Sequence, residues 1–420
     1  MFRKLVSLDD AMQIIECQFY AKPVGVEKVS LSQAHRRVLA KNVKALLDVP
    51  PFNRATVDGY AVKSKNTFGA DEELSITLKL LGRVAIGEVP KIVVEEKTTV
   101  EIVTGAPLPS GADAVVMVEY TIQKDDLVSI YRPVSKRENV MEAGSDIRKG
   151  ETVIKKNQTL SSRDIGVLAA LGFTEVDVYK RPKVAVISTG AEIVEPGEFL
   201  PPGKIYDINT YTISAAVQEC GGQPLNFGTI PDEIDELEAV LKKALDSADI
   251  VITSGGVSVG PTDVVPKVLN MLGKPGVIIS GIAIKPGKPT TIAIVDEKPI
   301  FSLPGHPTSS LLIFHLLVRS TILKMAGRRQ EPSFTLKAIS TEKMFQAKGR
   351  RTFIMVNLIR DNSGKLLARP VLLGLSGAIT TLSKADGFVI IPERRQFINA
   401  GEEVIVYLLK PLPEFTLSVK

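Results

Sequence analysis

The residues of this chain that can do chemistry gather where apolar runs end. Residues 183–188 lead into Thr189-Gly190-Ala191-Glu192, and 223–230 into Pro231-Asp232-Glu233. Residues 249–254 lead into Gly255-Gly256-Val257-Ser258-Val259-Gly260 and then Asp263. Residues 277–284 lead into Lys285-Pro286-Gly287-Lys288-Pro289, and 299–302 into Leu303-Pro304-Gly305-His306-Pro307. Glycine turns let backbone N–H groups approach an anion, and helix N-termini add partial positive charge. Lys285 and Lys288 add full positive charge, while Glu192, Asp232 and Asp263 are hard oxygen donors suited to Mg²⁺. Together they describe a site for phosphates with a divalent metal. Taken singly, Asp232 and Asp263 also suit helix capping, the glycines chain reversal and the lysines solvated surface.

Those turns must be carried by a parallel sheet, whose ligands sit beyond the carboxyl ends of the strands. Residues 181–328 alternate strand and helix patterns, with helices expected over 209–220, 232–246, 262–272 and 307–327. The runs at 183–188 and 249–254 are apolar on both faces, as in a sheet covered by helices. The apolar stretch 310–318 reads as a buried helix. Before this domain, residues 5–20 carry a helical pattern with Ser7 as N-cap and Asp9 and Asp10 in its first turn. A second helical piece covers about 32–39. Short alternating runs from about 54 to 141, punctuated by Gly, Pro and Asp, read as antiparallel β structure. A helix capped by Ser161 or Ser162 ends near Gly172. Beyond Gly327 the pattern is β again.

Composition narrows the function. The chain has 420 residues, 44% hydrophobic and 24% charged, which suits several buried cores and excludes a mainly disordered chain. A net charge of +5 and 5% aromatics without Trp suit small anions rather than nucleic acid. Two cysteines and three histidines exclude a disulfide framework and a zinc hydrolase. No Walker-type phosphate loop or dinucleotide fingerprint is present. No run reaches the roughly 18–20 apolar residues of a membrane span, and a cytoplasmic protein is expected.

The run Thr253–Gly260 with Asp263, the turn Ser188–Glu192 and the turn Leu303–Pro307 resemble the molybdopterin-binding domain. Further upstream, Pro50-Pro51-Phe52-Asn53-Arg54-Ala55-Thr56-Val57-Asp58-Gly59-Tyr60-Ala61 resembles the P-P-F-x-x-S-A-M-D-G-Y-A motif of the MoeA family. Thr104-Gly105-Ala106-Pro107-Leu108-Pro109 with Gly111-Ala112-Asp113 matches its T-G-A-P motif, and Glu138-Asn139-Val140 with Gly144-Ser145-Asp146 matches its E-N-V segment. Gly349-Arg350-Arg351-Thr352-Phe353 and Ser376-Gly377 resemble stretches of its last domain. The chain departs from the pattern at Ala55-Thr56-Val57, at Ser145, and at His306 and Thr308, where the family has Asn and Val.

The resemblance implies an α/β and β multidomain fold. Its parts would be a composite domain of 1–47 with 144–180, an inserted β domain at 48–143, a parallel-sheet α/β domain at 181–328 and a C-terminal β-barrel-like domain at 331–420. It also implies a homodimer with a site shared between subunits, and a reaction that joins molybdate or tungstate to adenylylated molybdopterin with Mg²⁺-dependent release of AMP. By position, Asp58, Thr104, Glu192, Asp232 and Asp263 correspond to its functional residues, with Asp232 and Asp263 at the metal. Asp146, Ser254, Gly255, Gly256, Ser258, Gly260, Lys285, Lys288, Pro304, Gly305, His306, Arg350 and Ser376 would contact substrate or oxyanion. A partnership with the molybdopterin adenylyltransferase is a further expectation. Two other readings use the same fold: adenylylation of molybdopterin, and a non-catalytic peptide-binding scaffold.

Overall fold

A computed structural model describes residues 5–231, 233–257, 264–329, 334–371, 380–409 and 416–417. Asp232, Ser258, Gly260, Asp263 and Ser376 lie outside the described residues. The described chain forms two compact units, one within Met1–Glu27 and Tyr179–Lys420, the other Lys28–Val178. Helix α1 (Leu8–Gln18) opens the first unit; Ser7 caps it by accepting the N–H of Asp10 at 3.1 Å. Leu8, Ala11 and Ile15, at helical spacing, are its buried face and join the core of the α/β domain. Residues 28–47, in contrast, lie in the second unit.

The second unit holds a six-stranded sheet built from β1 (Gly59–Val62), β2 (Ile76–Val84), β3 (Thr98–Ile102), β4 (Ala114–Met117), β5 (Thr121–Lys124) and β6 (Leu127–Ile130). Their order is β4-β1-β3-β2-β6-β5, with β2 and β3 parallel and the other neighbours antiparallel. Alternation sends Tyr60, Val62, Leu78 and Val128 to one core and Ala61, Val100, Ile102 and Val115 to another. A separate core joins Val29, Leu39 and Val43 to Ile154, Leu160, Leu168 and Val178, so segments far apart in sequence share it. Helix α2 (Ser162–Ala170) contributes Leu168; Ser161 and Asp164 form a reciprocal capping box at its start. The helix expected near 32–39 is one turn, Leu31–Ala34, because Arg36 turns left-handed (φ 61) and Val38 and Leu39 enter β-bridges.

The α/β domain contains β7 (Lys183–Thr189), α3 (Asn209–Glu219), β8 (Gln223–Ile230), α4 (Ile234–Ser247), β9 (Ile250–Ser254), α5 (Val264–Leu272), β10 (Pro275–Ser280), β11 (Thr291–Val295) and β12 (Lys298–Leu303). Its sheet runs β8-β7-β9-β12-β11-β10. The first four strands are parallel, but β11 and β10 pair antiparallel, so the sheet is mixed rather than wholly parallel. The cause is local. Only Asp296 and Glu297 separate β11 from β12, both with positive φ (48 and 62), which makes a two-residue hairpin. Two residues cannot make a parallel crossover. Helices cover both faces, leaving Ile187 and Val251 in one core and Val186 and Ile252 in the other.

Pro307–Ile313, a π-turn at Phe314–Val318 and Arg319–Met325 then form one bent helical run, with Phe314, Leu317 and Val318 buried. After it, β13 (Thr335–Ser340), β14 (Arg351–Arg360), β15 (Leu366–Pro370), β16 (Gly387–Ile391) and β17 (Glu403–Leu408) pair in the circular order β14-β15-β13-β17-β16-β14, a closed barrel. Among the described residues no helix is long and apolar enough to cross a membrane.

Burial pushes the His315 imidazole in the π-turn from 6.5 down to about 4. Its folded pKa lies below its unfolded one, so the unfolded chain takes up the proton first. Stability from neutral His315 is complete above pH 6.5 and declines as pH falls towards 4. Near pH 5 the wild type should have lost about 2 kcal/mol relative to its pH 7 value through this group. Denaturant titrations at both pH values should show that loss reduced in His315→Leu.

Candidate functional site

Two groups of functional side chains emerge, one in each unit. In the second unit, the motif 50–61 forms a loop entering β1, held from three sides. Ala55 exchanges backbone bonds with the 104–106 turn (Ala55 N–H to Ala106 O at 3.0 Å, Gly105 N–H to Ala55 O at 2.8 Å). Thr56 N–H donates to Asn139 O at 3.0 Å, and Ala143 N–H donates to the Asn53 side chain at 2.8 Å. The motifs around Thr104 and Asn139 thus serve to place Asp58. Gly59 is required by close approach: a Cβ there would stand 1.9 Å from Val116 O.

Asp58 and Thr104 meet directly. The Thr104 N–H and hydroxyl both donate to Asp58 Oδ1, at 2.7 and 2.8 Å. These two bonds, the backbone one first, hold the Asp58 carboxyl below the usual carboxylate range. Asp58 is exposed, so it presents a fixed anion to solvent. Asp146, also exposed, sits on a turn whose Gly144 N–H donates to Pro50 O at 3.0 Å, beside the same loop.

In the first unit the rim lies at the carboxyl ends of β8, β7, β9 and β12. Gly255 (φ 104) passes so close to β7 that a Cβ would stand 2.2 Å from Thr189 O. Gly305 approaches Gly255 from the end of β12; a Cβ on it would lie 3.7 Å from the Gly255 Cα. His306 is exposed at the N-cap of Pro307–Ile313. Glu192 is exposed, with its carboxylate folded towards Gly190. The loop 281–290 leaves the same end of the sheet, since Ser280, Thr291, Ser302 and Thr253 stand in register. It carries exposed Lys285 and half-buried Lys288. Its Ile284–Lys285 pairs with Arg351 and Thr352 of β14, which brings Arg350 beside the lysine loop.

Two side chains near this rim are engaged within the protein. Ser254 is buried, accepts from Asn209 Nδ2 at 2.8 Å and donates to Pro304 O at 3.4 Å, so its hydroxyl fixes loops. Arg351 forks onto Asp9 at 2.9 and 2.7 Å and pairs with Glu393 at 3.0 Å, so its charge is matched within the protein.

The sequence reading missed Asp207 and Asn209. The excursion 191–206 forms a small ladder, Ile193–Val194 against Ile205–Tyr206, that delivers them to the start of α3. Asp207 is 2% exposed. It accepts from Ser188 Oγ at 3.0 Å, from Thr210 N and Oγ1 at 3.1 and 2.6 Å, and more distantly from Thr229 Oγ1 at 3.4 Å. Asn209 donates to Ser254 Oγ and, at 2.7 Å, to Gly305 O. An Asp-x-Asn-Thr cluster before a helix was the available signal, but it reads equally as a cap. The buried side-chain polar atoms without a partner among the described residues are Thr189 Oγ1, Asn209 Oδ1, Thr253 Oγ1, Ser302 Oγ and Ser310 Oγ. All belong to this domain, at strand ends or the adjoining helix starts.

A depression of about 570 Å³ along α1, lined by Val6, Ile14 and Cys17 among others, contains none of the candidate residues. Among the described residues no three acidic, histidine or cysteine side chains converge as a metal cage.

A mixed α/β sheet with a glycine-lined rim, a closed barrel and a separate β-rich unit define a class of multidomain α/β and β proteins. A family model described as "Probable molybdopterin binding domain" matches residues 185–324. Models for the MoeA N-terminal region (domain I and II) and the MoeA C-terminal region (domain IV) match 6–172 and 337–409. A molybdopterin molybdenumtransferase of Staphylococcus aureus (strain COL) is 34% identical, over 97% of this chain and 96% of that protein. One of Bacillus subtilis (strain 168) is 32% identical, over 97% and 95%. The crystal structure titled as a molybdopterin biosynthesis MoeA protein from Pyrococcus horikosii superposes with a TM-score of 0.84 at 41% identity, covering 97% of this chain and 100% of that one. The chain belongs to the MoeA family.

Two consequences are measurable. Thr104→Val removes one of the two donors to Asp58, so the Asp58 pKa should rise towards the ordinary value in a carboxyl-carbon NMR titration; an unmoved value would leave the hydroxyl without a role. Gly255→Ala should lower the thermal midpoint by several degrees, since both the positive φ and the Thr189 carbonyl oppose a Cβ.

Proposed function

We propose that this chain is a molybdopterin molybdenumtransferase, which joins molybdate to adenylylated molybdopterin and releases AMP. The observation that carries the reading is the match along almost the whole chain to molybdopterin molybdenumtransferases, on a fold whose α/β domain gathers close-packed glycine turns and a lysine-bearing loop at one rim. The names of the full-length relatives supply the substrate class.

In this reaction the two dithiolene sulfurs replace an oxygen ligand of molybdate, which leaves as water with the two thiol protons, and a water adds across the bond between the two phosphates so that AMP leaves. The protein's share is positioning and charge neutralisation rather than nucleophilic attack. Lys285, Lys288 and Arg350 attract molybdate and the phosphates. The Gly255-Gly256 and Pro304-Gly305-His306 turns bring backbone close to an oxyanion. Thr104 fixes the Asp58 carboxylate towards the pterin or molybdate, contributed in our reading by the second subunit of a homodimer.

Mg²⁺ would supply further neutralisation of phosphate charge, held by Asp232 and Asp263, with Glu192 on the turn that follows β7. The donor chemistry fits. Asp207 commits both its oxygens to hydroxyls and an amide, and Mg²⁺ typically uses one or two carboxylates with substrate phosphates instead of a protein cage. The cell compartment we propose is the cytoplasm, with the molybdopterin adenylyltransferase as the source of substrate.

The test supplies adenylylated molybdopterin, Mg²⁺ and molybdate, or tungstate in a parallel series, and measures AMP release. Wild type should release AMP with either the molybdate or the tungstate series; Asp58→Ala, Asp232→Ala and Asp263→Ala should fold and release it at least about a hundredfold more slowly. Wild-type turnover in all three variants would refute the residue assignments. ATP consumption with bare molybdopterin would favour adenylylation, and peptide binding without either activity a scaffold.

A further inference from the structure

The segment 207–210 ties together the ends of four neighbouring strands. Asp207 reaches Ser188 at the end of β7 and Thr229 at the end of β8; Asn209 reaches Ser254 at the end of β9 and Gly305 beyond β12. These are the four parallel strands, in the order β8-β7-β9-β12. We propose that Asn209 is a positioning residue for the reaction: its amide fixes the Gly255 and Gly305 turns against each other, so that the two together form one edge of the rim at which a substrate oxyanion is held. The inference rests on the proposed function and adds to it a residue that touches no substrate.

Three observations carry it. First, one planar NH₂ group donates to two acceptors on different loops, at 2.8 and 2.7 Å, so neither turn can move without breaking a short bond. The other side-chain bond between those loops, Ser254 Oγ to Pro304 O, is 3.4 Å and weak by comparison. Second, the turns themselves lack give. Gly255 is pressed against Thr189, and Gly305 stands at van der Waals distance from Gly255, so a shift of one turn is passed to the other. Third, Asn209 is 7% exposed and its Oδ1 has no partner among the described residues. The donated bonds are what the asparagine provides.

The experiment uses the full-length chain and four variants: Asn209→Ala, Asn209→Asp, Ser254→Ala and Val404→Ala. The last truncates a buried barrel residue and controls for lost stability. Hydrogen–deuterium exchange is followed in peptides spanning 250–257 and 301–307, and AMP release is measured in parallel. Asn209→Ala and Asn209→Asp should speed exchange in both peptides together. They should lower kcat by about a hundredfold, the scale of a one-ångström misplacement, with a much smaller change in KM. Ser254→Ala should fall between them and wild type, and Val404→Ala should lower the thermal midpoint with neither effect. Unchanged exchange in either peptide, or faster exchange with wild-type kcat, overturns the proposal. The exchange comparison needs no substrate, so it decides the tie even where the wild type releases no AMP, a result that would instead sink the substrate reading.

Discussion

A row of parallel strand ends makes a binding rim only if the ends are held in fixed relation. Here that constraint falls on one buried carboxylate and one buried amide, two residues apart. Removing the Asp207 carboxylate from water would cost several kcal/mol without compensation. Two hydroxyls and an N–H at 3.1 Å or less, with Thr229 at 3.4 Å, offset that cost and bind the ends of β7 and β8 to the start of α3. Asn209 extends the tie to β9 and to the turn beyond β12. Backbone ladders fix strands along their length but end where the loops begin; side chains must continue the register into the loops.

The strands themselves were legible because their chemistry is repetitive. Residues 184–187 and 250–252 are apolar without alternation, as in a sheet covered on both faces. The Ser7 and Ser161 caps were legible for the same kind of reason, since each satisfies orphan N–H groups next to it in sequence. What failed was non-local or stereochemical. Nothing within residues 8–18 says that their buried face joins a core formed after residue 183. The β11–β12 hairpin hides in Asp296-Glu297, residues that adopt positive φ less readily than Asn-Gly and so give no strong turn signal.

The site divides in the same way. Asp58 and Thr104 stand 46 positions apart, yet the motif resemblance paired them and the geometry joins them by two hydrogen bonds. Glycines 255 and 305 were read as anion-approaching turns, and their close contacts show why no side chain fits at the first. Ser254 was read as a ligand contact because a serine beside glycines has the same letters whether its hydroxyl faces a ligand or a neighbouring loop. Asp207 and Asn209 were passed over for the converse reason: polar residues before a helix are expected to cap it, and sequence gives no measure of burial. Asp207 does accept the N–H of Thr210, as a cap would; burial turns that ordinary role into a structural tie.

Charge at the rim follows from the same backbone logic. Arg350 and Arg351 are adjacent in sequence, so charge alone cannot say which one faces an anion. Ladder pairing of Ile284–Lys285 with Arg351 and Thr352 fixes the register. Asp9, in the first turn of α1, then captures the Arg351 guanidinium together with Glu393, and that hydrogen bond holds the Asp9 carboxyl below its ordinary range. The long-range packing of α1 that sequence could not reveal therefore has a chemical consequence: by neutralising one arginine it leaves Lys285, Lys288, Lys348 and Arg350 as the cations of that loop pair. A helix at the start of the chain thereby helps to set the charge pattern of a rim formed by residues nearly three hundred positions later.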